Sequence, residues 1–225
     1  LAEKIGHPGT LAMALLFAAA LYRQLGHVHL AARHAERAEA MTGTPDLQLW
    51  QISAQGVIGW QRALSGDAGG VLKLRQSLEQ MAELNGRDHY QRPVLWYSDA
   101  CIAVGELSAA EDYLDQCLMI ARERNTLFLP ELAVQLAWVR DKMGYSPDVV
   151  RQLLELAIEQ AQEHGNRHQE LAAWALWLTR VAPDDVSARE AFRSLLAQVN
   201  HTDAPVLVRW ASLLDHRMAP ESLEG

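Results

Sequence analysis

Residues 59–78, GWQRALSGDAGGVLKLRQSL, contain the pattern that decides the fold. A small residue, Gly59, stands seven positions before Gly66, and the apolar residues Val71 and Leu78 follow Gly66 at spacings of five and twelve. These spacings predict two helices joined by a glycine turn. One apolar stripe of the second helix then faces a small residue of the first, which lets the two helices approach closely.

The same pattern recurs along the chain at a nearly constant distance. A first set of turn residues lies 40, 39 and 39 positions apart: Gly26, Gly66, Gly105 and Gly144. A second set interleaves with it at intervals of 43, 39 and 40: Gly43, Gly86, Asn125 and Gly165. The position seven before each first-set glycine is always small: Ala19, Gly59, Ser98 and Ala137. The positions five, nine and twelve after these glycines carry apolar or small residues, with the single exception of Arg75.

This periodicity predicts an all-α protein. Each hairpin alone leaves an apolar side uncovered, so neighbouring hairpins must stack to complete the core. We expect an α-α superhelix, a TPR-like solenoid of about five antiparallel helix hairpins plus a C-terminal capping helix. The predicted single domain covers 7–219, with hairpins at about 10–43, 46–86, 89–125, 127–165 and 168–200, a cap at 203–218, and flexible ends at 1–6 and 220–225.

Composition excludes several classes of function. The 225 residues include 20 Lys and Arg against 28 Asp and Glu, for a net charge of −8, so a basic nucleic-acid-binding surface is not expected. Two cysteines cannot form a disulfide framework, which favours a reducing compartment and a cytoplasmic location. The first residue is Leu, so we expect a piece of a longer protein.

The segment 11–22 is apolar and uncharged but too short to span a bilayer, and no membrane association is expected. A signal peptide is one interpretation, since small residues follow an apolar run. A buried helix is the other, and the repeat register favours it.

The residues also resemble a known family. The likeness covers roughly 7–180 and is carried by five stretches: His7-Pro8 through Leu25-Gly26, Gly59-Trp60 with Ala63 to Gly66, the helix from Ala109-Ala110 to Ala121, Pro130-Glu131-Leu132, and Gln169 to Ala173. They resemble the C-terminal helical-repeat region of large bacterial signalling proteins. In that family the repeats follow a P-loop ATPase module, and a cyclase-like or DNA-binding domain supplies the output. The chain departs from the family at Val134 to Trp138, where a polar stretch with Lys-Gly is common.

The resemblance implies a non-enzymatic binding module of a bacterial signal-transduction or transcription-regulatory ATPase. Its partners would be a protein or peptide, or a small-molecule effector, together with the neighbouring ATPase and output domains. No cofactor is implied, and with no Walker lysine motif present no nucleotide site is transferred.

Chemical motifs are sparse. His164 and His168 are four apart, but Gly165-Asn166 between them indicates a turn, so solvated histidines are favoured over a metal site. Cys101 and Cys117 fit buried free thiols. Asp67 to Gly70 resembles a phosphate loop but suits a helix start with Asp67 as N-cap. Catalytic motifs such as G-x-S-x-G and H-E-x-x-H are absent from the sequence, so no catalytic, cofactor or metal residues are assigned.

The first helices of such repeats line a concave groove, and the register assigns residues to it. The positions six before the turn include Trp60, Asp99 and Trp138. With the positions three and thirteen before the turn, the predicted groove set is Arg23, Trp60, Arg92, Asp99, Glu131, Trp138 and Asp141. Tryptophan is enriched at binding hot spots. The alternative is that Trp60 and Trp138 only fill space between helices; the other five tryptophans are expected to pack inside or between repeats.

Two other functions stay open at this point. The chain could act as a structural oligomerisation or spacer module, forming a homo-oligomer through its repeat ends. An enzyme on a helical scaffold is the third reading, and it would need titratable residues to converge in a pocket.

Overall fold

A computed structural model describes residues 7–85, 91–199 and 204–215, and these are helical with no β-strand among them. The all-α prediction is therefore confirmed for the described residues. The predicted flexible ends at 1–6 and 220–225, the turn residue Gly86 and the last residues of the predicted cap lie outside them.

Eleven α-helices are described over these ranges. They are α1 Pro8–Leu25, α2 Val28–Glu39, α3 Gln48–Leu64, α4 Gly69–Asn85, α5 Gln91–Val104, α6 Leu107–Arg124, α7 Leu129–Lys142, α8 Pro147–Glu163, α9 Arg167–Leu176, α10 Val186–Leu196 and α11 Pro205–Asp215. A 3-10 turn at Pro45–Leu47 precedes α3, and a π-helical turn at Trp177–Val181 continues α9.

The chain divides into two compact units, Leu1–Tyr113 and Leu114–Gly225, with the boundary inside α6. In the first unit α1 packs on α2 and α3, and α3 packs on α4 and α5. In the second, α7 packs on α8 and α9, α8 on α9, and α9 on α10. The single repeat domain over 7–219 and its hairpin boundaries stay a prediction.

The first-set glycines end their helices in the left-handed region. Gly26, Gly66, Gly105 and Gly144 have φ values of 84°, 86°, 83° and 79°. At Gly26 the backbone N–H donates to the Arg23 carbonyl (3.0 Å), and the next N–H, of His27, donates to the Tyr22 carbonyl (2.8 Å). The same pair of bonds closes the helix at the other three glycines, a Schellman motif each time. Only glycine adopts this conformation without strain, which explains the regular spacing of glycine in the sequence.

Small residues allow the helices to meet. The four residues seven positions before these glycines, Ala19, Gly59, Ser98 and Ala137, are all buried. At the α3–α4 crossing, a Cβ placed on Gly59 would lie 2.9 Å from the Gly70 carbonyl oxygen. A Cβ on Gly70 would overlap the Gly59 carbonyl oxygen. The two backbones are therefore in direct contact, as the pattern around Gly66 predicted. Arg75, the exception to the apolar stripe, is exposed.

An aspartate side chain accepts a backbone hydrogen bond at the start of two helices. The Asp67 Oδ1 accepts a hydrogen bond from the Gly69 N–H (2.9 Å), so Asp67 serves the start of α4 rather than a phosphate loop. Asp185 caps α10, accepting from the Ala188 N–H (3.0 Å) and from the Trp177 indole N–H (3.1 Å). These hydrogen bonds lower the pKa of the Asp185 carboxyl, the Ala188 N–H most strongly.

The apolar segment 11–22 forms most of α1 and is only partly buried. Ala12, Leu15, Leu16 and Ala19 face the core, whereas Met13, Phe17 and Leu21 are exposed. The expectation of a buried helix therefore holds for one face and is wrong for the other. Among the described helices, none has both the length and the apolar character that crossing a membrane requires.

Candidate functional site

The seven predicted groove residues fall in both units, and each unit is considered by itself. Arg23, Trp60, Arg92 and Asp99 belong to the first unit, and Glu131, Trp138 and Asp141 to the second.

Three of the predicted residues meet in the first unit. The Asp99 carboxylate on α5 accepts a hydrogen bond from Arg23 Nε on α1 (2.6 Å) and from the Trp60 indole N–H on α3 (3.2 Å). Arg23 also donates to the Leu95 carbonyl (3.2 Å). One carboxylate thus joins three helices that lie far apart in the sequence.

This network faces the interior. Trp60 is 2 % exposed, and its ring meets Trp96 edge-to-face at 4.7 Å between centroids. The Arg23 guanidinium lies 5.5 Å from the Trp96 ring centroid. The Arg23 and Asp99 side chains are 11 % and 26 % exposed. Of the two alternatives for Trp60, the structure supports space-filling: the ring does not line an open groove, because neighbouring helices cover it.

Arg92, the fourth predicted residue of this unit, is half-buried and lies apart from this network. Its guanidinium sits 4.5 Å from the ring centroid of Phe17 on α1. The spacing is typical of a cation–π contact. Arg92 thus flanks an exposed aromatic ring on the outer side of α1.

In the second unit, one face of α7 carries the remaining three residues. Glu131, Gln135, Trp138 and Asp141 follow each other at intervals of three or four, and Lys142 stands four positions after Trp138, so they share one side of the helix. Glu131 and Gln135 are buried, whereas Trp138, Asp141 and Lys142 are half-buried. On this face of α7, the side chains therefore become more exposed from the start of the helix towards its end.

Two cations accompany the Trp138 ring. Lys142 Nζ lies 5.1 Å from its centroid, and the Arg180 guanidinium carbon lies 5.5 Å from it. Arg180 also forms an ion pair with Asp141, with 3.3 Å between Nε and Oδ2. We refer to Trp138, Asp141, Lys142 and Arg180 as the Trp138 patch. It combines a half-buried aromatic ring with charges of both signs.

A second cationic contact involves Arg140, which also lies on α7. Arg140 donates to Asp115 (2.6 Å) and lies 5.5 Å from the ring centroid of Tyr145, which is exposed. Such aromatic and arginine side chains recur at protein-binding surfaces, since they bury a large area with little loss of conformational freedom.

Sequence reasoning missed Arg180 and the role of Trp96. Arg180 lies in the π-helical turn, whose spacing differs from that of an α-helix, so the repeat register does not extend to it. Trp96 is buried, as the sequence predicts, but nothing in the sequence indicates its contact with Arg23.

The structure describes the surroundings of the two histidines and two cysteines that the sequence singles out. His164 is the C-cap residue that follows α8, and His168 lies in α9, where its ring packs against Trp210 with 5.2 Å between the centroids. No group of three or more metal-ligating side chains occurs in the part of the chain that the structure describes. Cys101 and Cys117 are both buried free thiols, as expected.

The buried thiols lead to a first prediction. Burial raises the pKa of the Cys101 thiol to about 11, and the neighbouring Tyr97 hydroxyl, also buried, has a raised pKa. The native chain should therefore react with Ellman's reagent at pH 8 far more slowly than the denatured chain, in which both cysteines are accessible. The absorbance of the released thionitrobenzoate, followed with and without guanidinium chloride, measures the two reaction rates. Rapid reaction of the native chain would contradict the buried placement of the cysteines.

No protein-family model and no curated protein matches the chain. Among solved structures, the apo form of RapI is similar, with a TM-score of 0.64 and 15 % sequence identity. The match covers 83 % of this chain and 69 % of RapI. At this identity the likeness concerns the fold, which is an α-helical repeat solenoid in both proteins.

Proposed function

We propose that this chain is a non-enzymatic helical-repeat module that recognises a segment of another protein through the Trp138 patch. The observation that carries the proposal is the half-buried Trp138 ring of α7, with Lys142 and Arg180 beside it. The repeat register predicts that α7 is the first helix of its hairpin. Repeat folds use this side of their helices to bind extended or helical peptides.

The chemistry of the patch favours a segment with both an apolar and an acidic side chain. An apolar side chain would cover the open part of the Trp138 ring, removing it from water. A carboxylate would compete with Asp141 for Arg180, whose ion pair with Asp141 is 3.3 Å long. A small-molecule effector with a carboxylate and an apolar group is the alternative ligand of the same surface.

We further propose that the module belongs to a bacterial multidomain signalling ATPase of the cytoplasm and transmits recognition to neighbouring ATPase and output domains. The support is the resemblance carried by residues between 7 and 180. Reading the complete coding sequence tests this part: a Walker lysine motif in the same reading frame would support it, and a complete frame without one would contradict it.

The binding proposal is tested by selecting ligands for the chain from a phage-displayed library of random 16-residue peptides, a length on the order of one repeat helix. Selected peptides are synthesised and their Kd is measured by fluorescence polarisation. Trp138→Ala should weaken binding about tenfold or more, as expected for an interface anchor. Trp210→Ala, which removes another half-buried tryptophan of the same unit, serves as the matched control and should leave Kd unchanged.

Two results would count against the proposal. If selection yields no peptide that binds the folded chain, protein recognition by this module fails. If peptides bind but Trp138→Ala has no more effect than Trp210→Ala, the recognition surface lies elsewhere.

A further inference from the structure

The ion pair inside the Trp138 patch is longer than a second ion pair made by α7. Arg180 Nε lies 3.3 Å from Asp141 Oδ2, whereas Arg140 Nη2 lies 2.6 Å from Asp115 Oδ2. Hydrogen bonds between oppositely charged groups are usually about 2.7–2.9 Å long. The contact between Arg180 and Asp141 is therefore long, and a carboxylate that approached Arg180 more closely would bind it more strongly.

The same pair is only partly shielded from water. The Arg180 and Asp141 side chains are 19 % and 22 % exposed, and Trp138 beside them is half-buried. A small carboxylate in solution can therefore reach the guanidinium. Because the surroundings exclude much of the water, its attraction to Arg180 is stronger there than on a fully exposed surface.

The Trp138 ring places an apolar surface next to this cation. The Arg180 guanidinium carbon lies 5.5 Å from the ring centroid, and Lys142 Nζ lies 5.1 Å from it. A ligand that uses both the ring and the guanidinium must therefore carry an apolar group and a carboxylate close together. A helical segment does so with side chains three or four positions apart, roughly 5–6 Å between Cβ atoms. The compound 3-phenylpropionate carries both groups in one small molecule.

Asp141 offers Arg180 the same chemical group as such a ligand. Both are carboxylates that use one guanidinium, so the ligand must displace Asp141 before it can bind Arg180. The strength of the internal pair is then lost from the affinity for the ligand. For a partly exposed ion pair this loss corresponds to about a two- to fivefold higher Kd.

We propose that Asp141 is an internal competitor at the Trp138 patch, and that the patch binds an organic carboxylate whose apolar group covers the Trp138 ring. The carboxylate of the ligand replaces that of Asp141 at Arg180, and the Asp141 side chain moves aside. Competition by Asp141 rests on the binding surface proposed above and deepens that proposal, since it specifies the ligand class and the residue that limits the affinity.

An NMR titration of the 225-residue chain with 3-phenylpropionate tests this binding. The indole N–H signal of Trp138, identified by its absence from the spectrum of Trp138→Phe, reports on the patch. A fragment of this size should bind with a Kd in roughly the millimolar range. The uncharged analogue 3-phenylpropanamide has the same shape and should bind about fivefold more weakly or worse, because it lacks the carboxylate that Arg180 attracts.

Three variants test the role of Asp141. Asp141→Asn should bind 3-phenylpropionate about two- to fivefold more tightly, whereas a merely structural role would weaken binding or leave it unchanged. Arg180→Gln should bind the acid no better than the amide. Asp148→Asn is the matched control: it removes the same charge from an exposed pair with Arg151 (2.9 Å) and should leave the Kd unchanged. Circular dichroism confirms that each variant is folded.

Three results would overturn the proposal. The first is a Trp138 signal that does not shift at about 50 mM acid, well above the expected Kd. The second is an equal Kd for the acid and the amide in the native chain. The third is tightening by Asp141→Asn that does not exceed that of Asp148→Asn, which would reflect net charge alone.

Peptide recognition is judged separately by the selection experiment. If the acid binds as described but no peptide is selected, only peptide recognition fails. If selected peptides depend on Trp138 while Asp141→Asn leaves the affinity for the acid unchanged, only the competition by Asp141 fails.

Discussion

Gly70→Ala is expected to lower the free energy of unfolding by about 2–3 kcal/mol. At the α3–α4 crossing, the new methyl group would overlap the Gly59 carbonyl oxygen and lie against the backbone of Ala63. Backbone atoms cannot rotate away, so the two helices must separate and lose packing along their length. The gain of about 1 kcal/mol that alanine brings to a helix interior offsets only part of this loss.

Gly69→Ala is the matched control for this prediction. It makes the same change one residue earlier, where the new methyl group would meet the side-chain ends of Asp67 (3.0 Å) and Arg62 (3.6 Å). Both side chains are exposed and can move, so the change in stability should stay within about 0.5 kcal/mol. Urea unfolding followed by circular dichroism measures both variants. Equal stability of the two would show that α3 and α4 do not touch through Gly59 and Gly70.

Asp99→Ala is expected to destabilise the chain by about 2–3 kcal/mol. The substitution removes the shared acceptor of the Arg23 guanidinium and the Trp60 indole N–H. Trp60 is buried and has little access to water as a substitute, so its N–H loses a hydrogen bond outright. Asp99→Asn keeps one acceptor oxygen without the charge and should have an intermediate effect.

A double-mutant cycle isolates the Arg23–Asp99 pair. With Arg23→Ala, Asp99→Ala and the double variant, the coupling energy should be about 1.5–2 kcal/mol, as for a hydrogen bond between charged groups with limited solvent access. The exposed pair of Arg151 and Asp148 (2.9 Å) is the control and should give less than about 0.5 kcal/mol. A coupling at Arg23 and Asp99 no larger than at the control would mean that the carboxylate does not hold the three helices together.

Much of the fold was predictable because it depends on local chemistry. The left-handed ends of α1, α3, α5 and α7 require glycine, so the glycine spacing indicates where these helices end. The close crossing of α3 and α4 requires small residues, and Gly59 marks it seven positions before Gly66. Neither property depends on contacts between residues that are remote in the sequence, so both can be inferred from the sequence alone.

The candidate site was less predictable because it depends on remote partners. Trp60 and Trp138 occupy the same position in their repeats, six before the turn glycine. Trp60 is buried against Trp96, whereas Trp138 remains half-buried beside Arg180. Repeat position alone predicts the same environment for both, and only the side chains contributed by other helices distinguish them.

Which side of α1 is exposed also depends on residues that are remote in the sequence. Its composition is apolar on all sides, which is typical of a helix covered by others. The structure covers the side of Ala12 and Leu16 and leaves Phe17 and Leu21 exposed. The sequence of α1 itself does not indicate which side is left open.

Hydrogen–deuterium exchange with and without a selected peptide tests the central claim, recognition by the Trp138 patch, most directly. The account predicts that peptide binding slows exchange in α7 and in the turn Trp177–Val181 while leaving α2 and α4 unchanged. Protection confined to other helices, with exchange in α7 and Trp177–Val181 unaltered at saturating peptide, would contradict it.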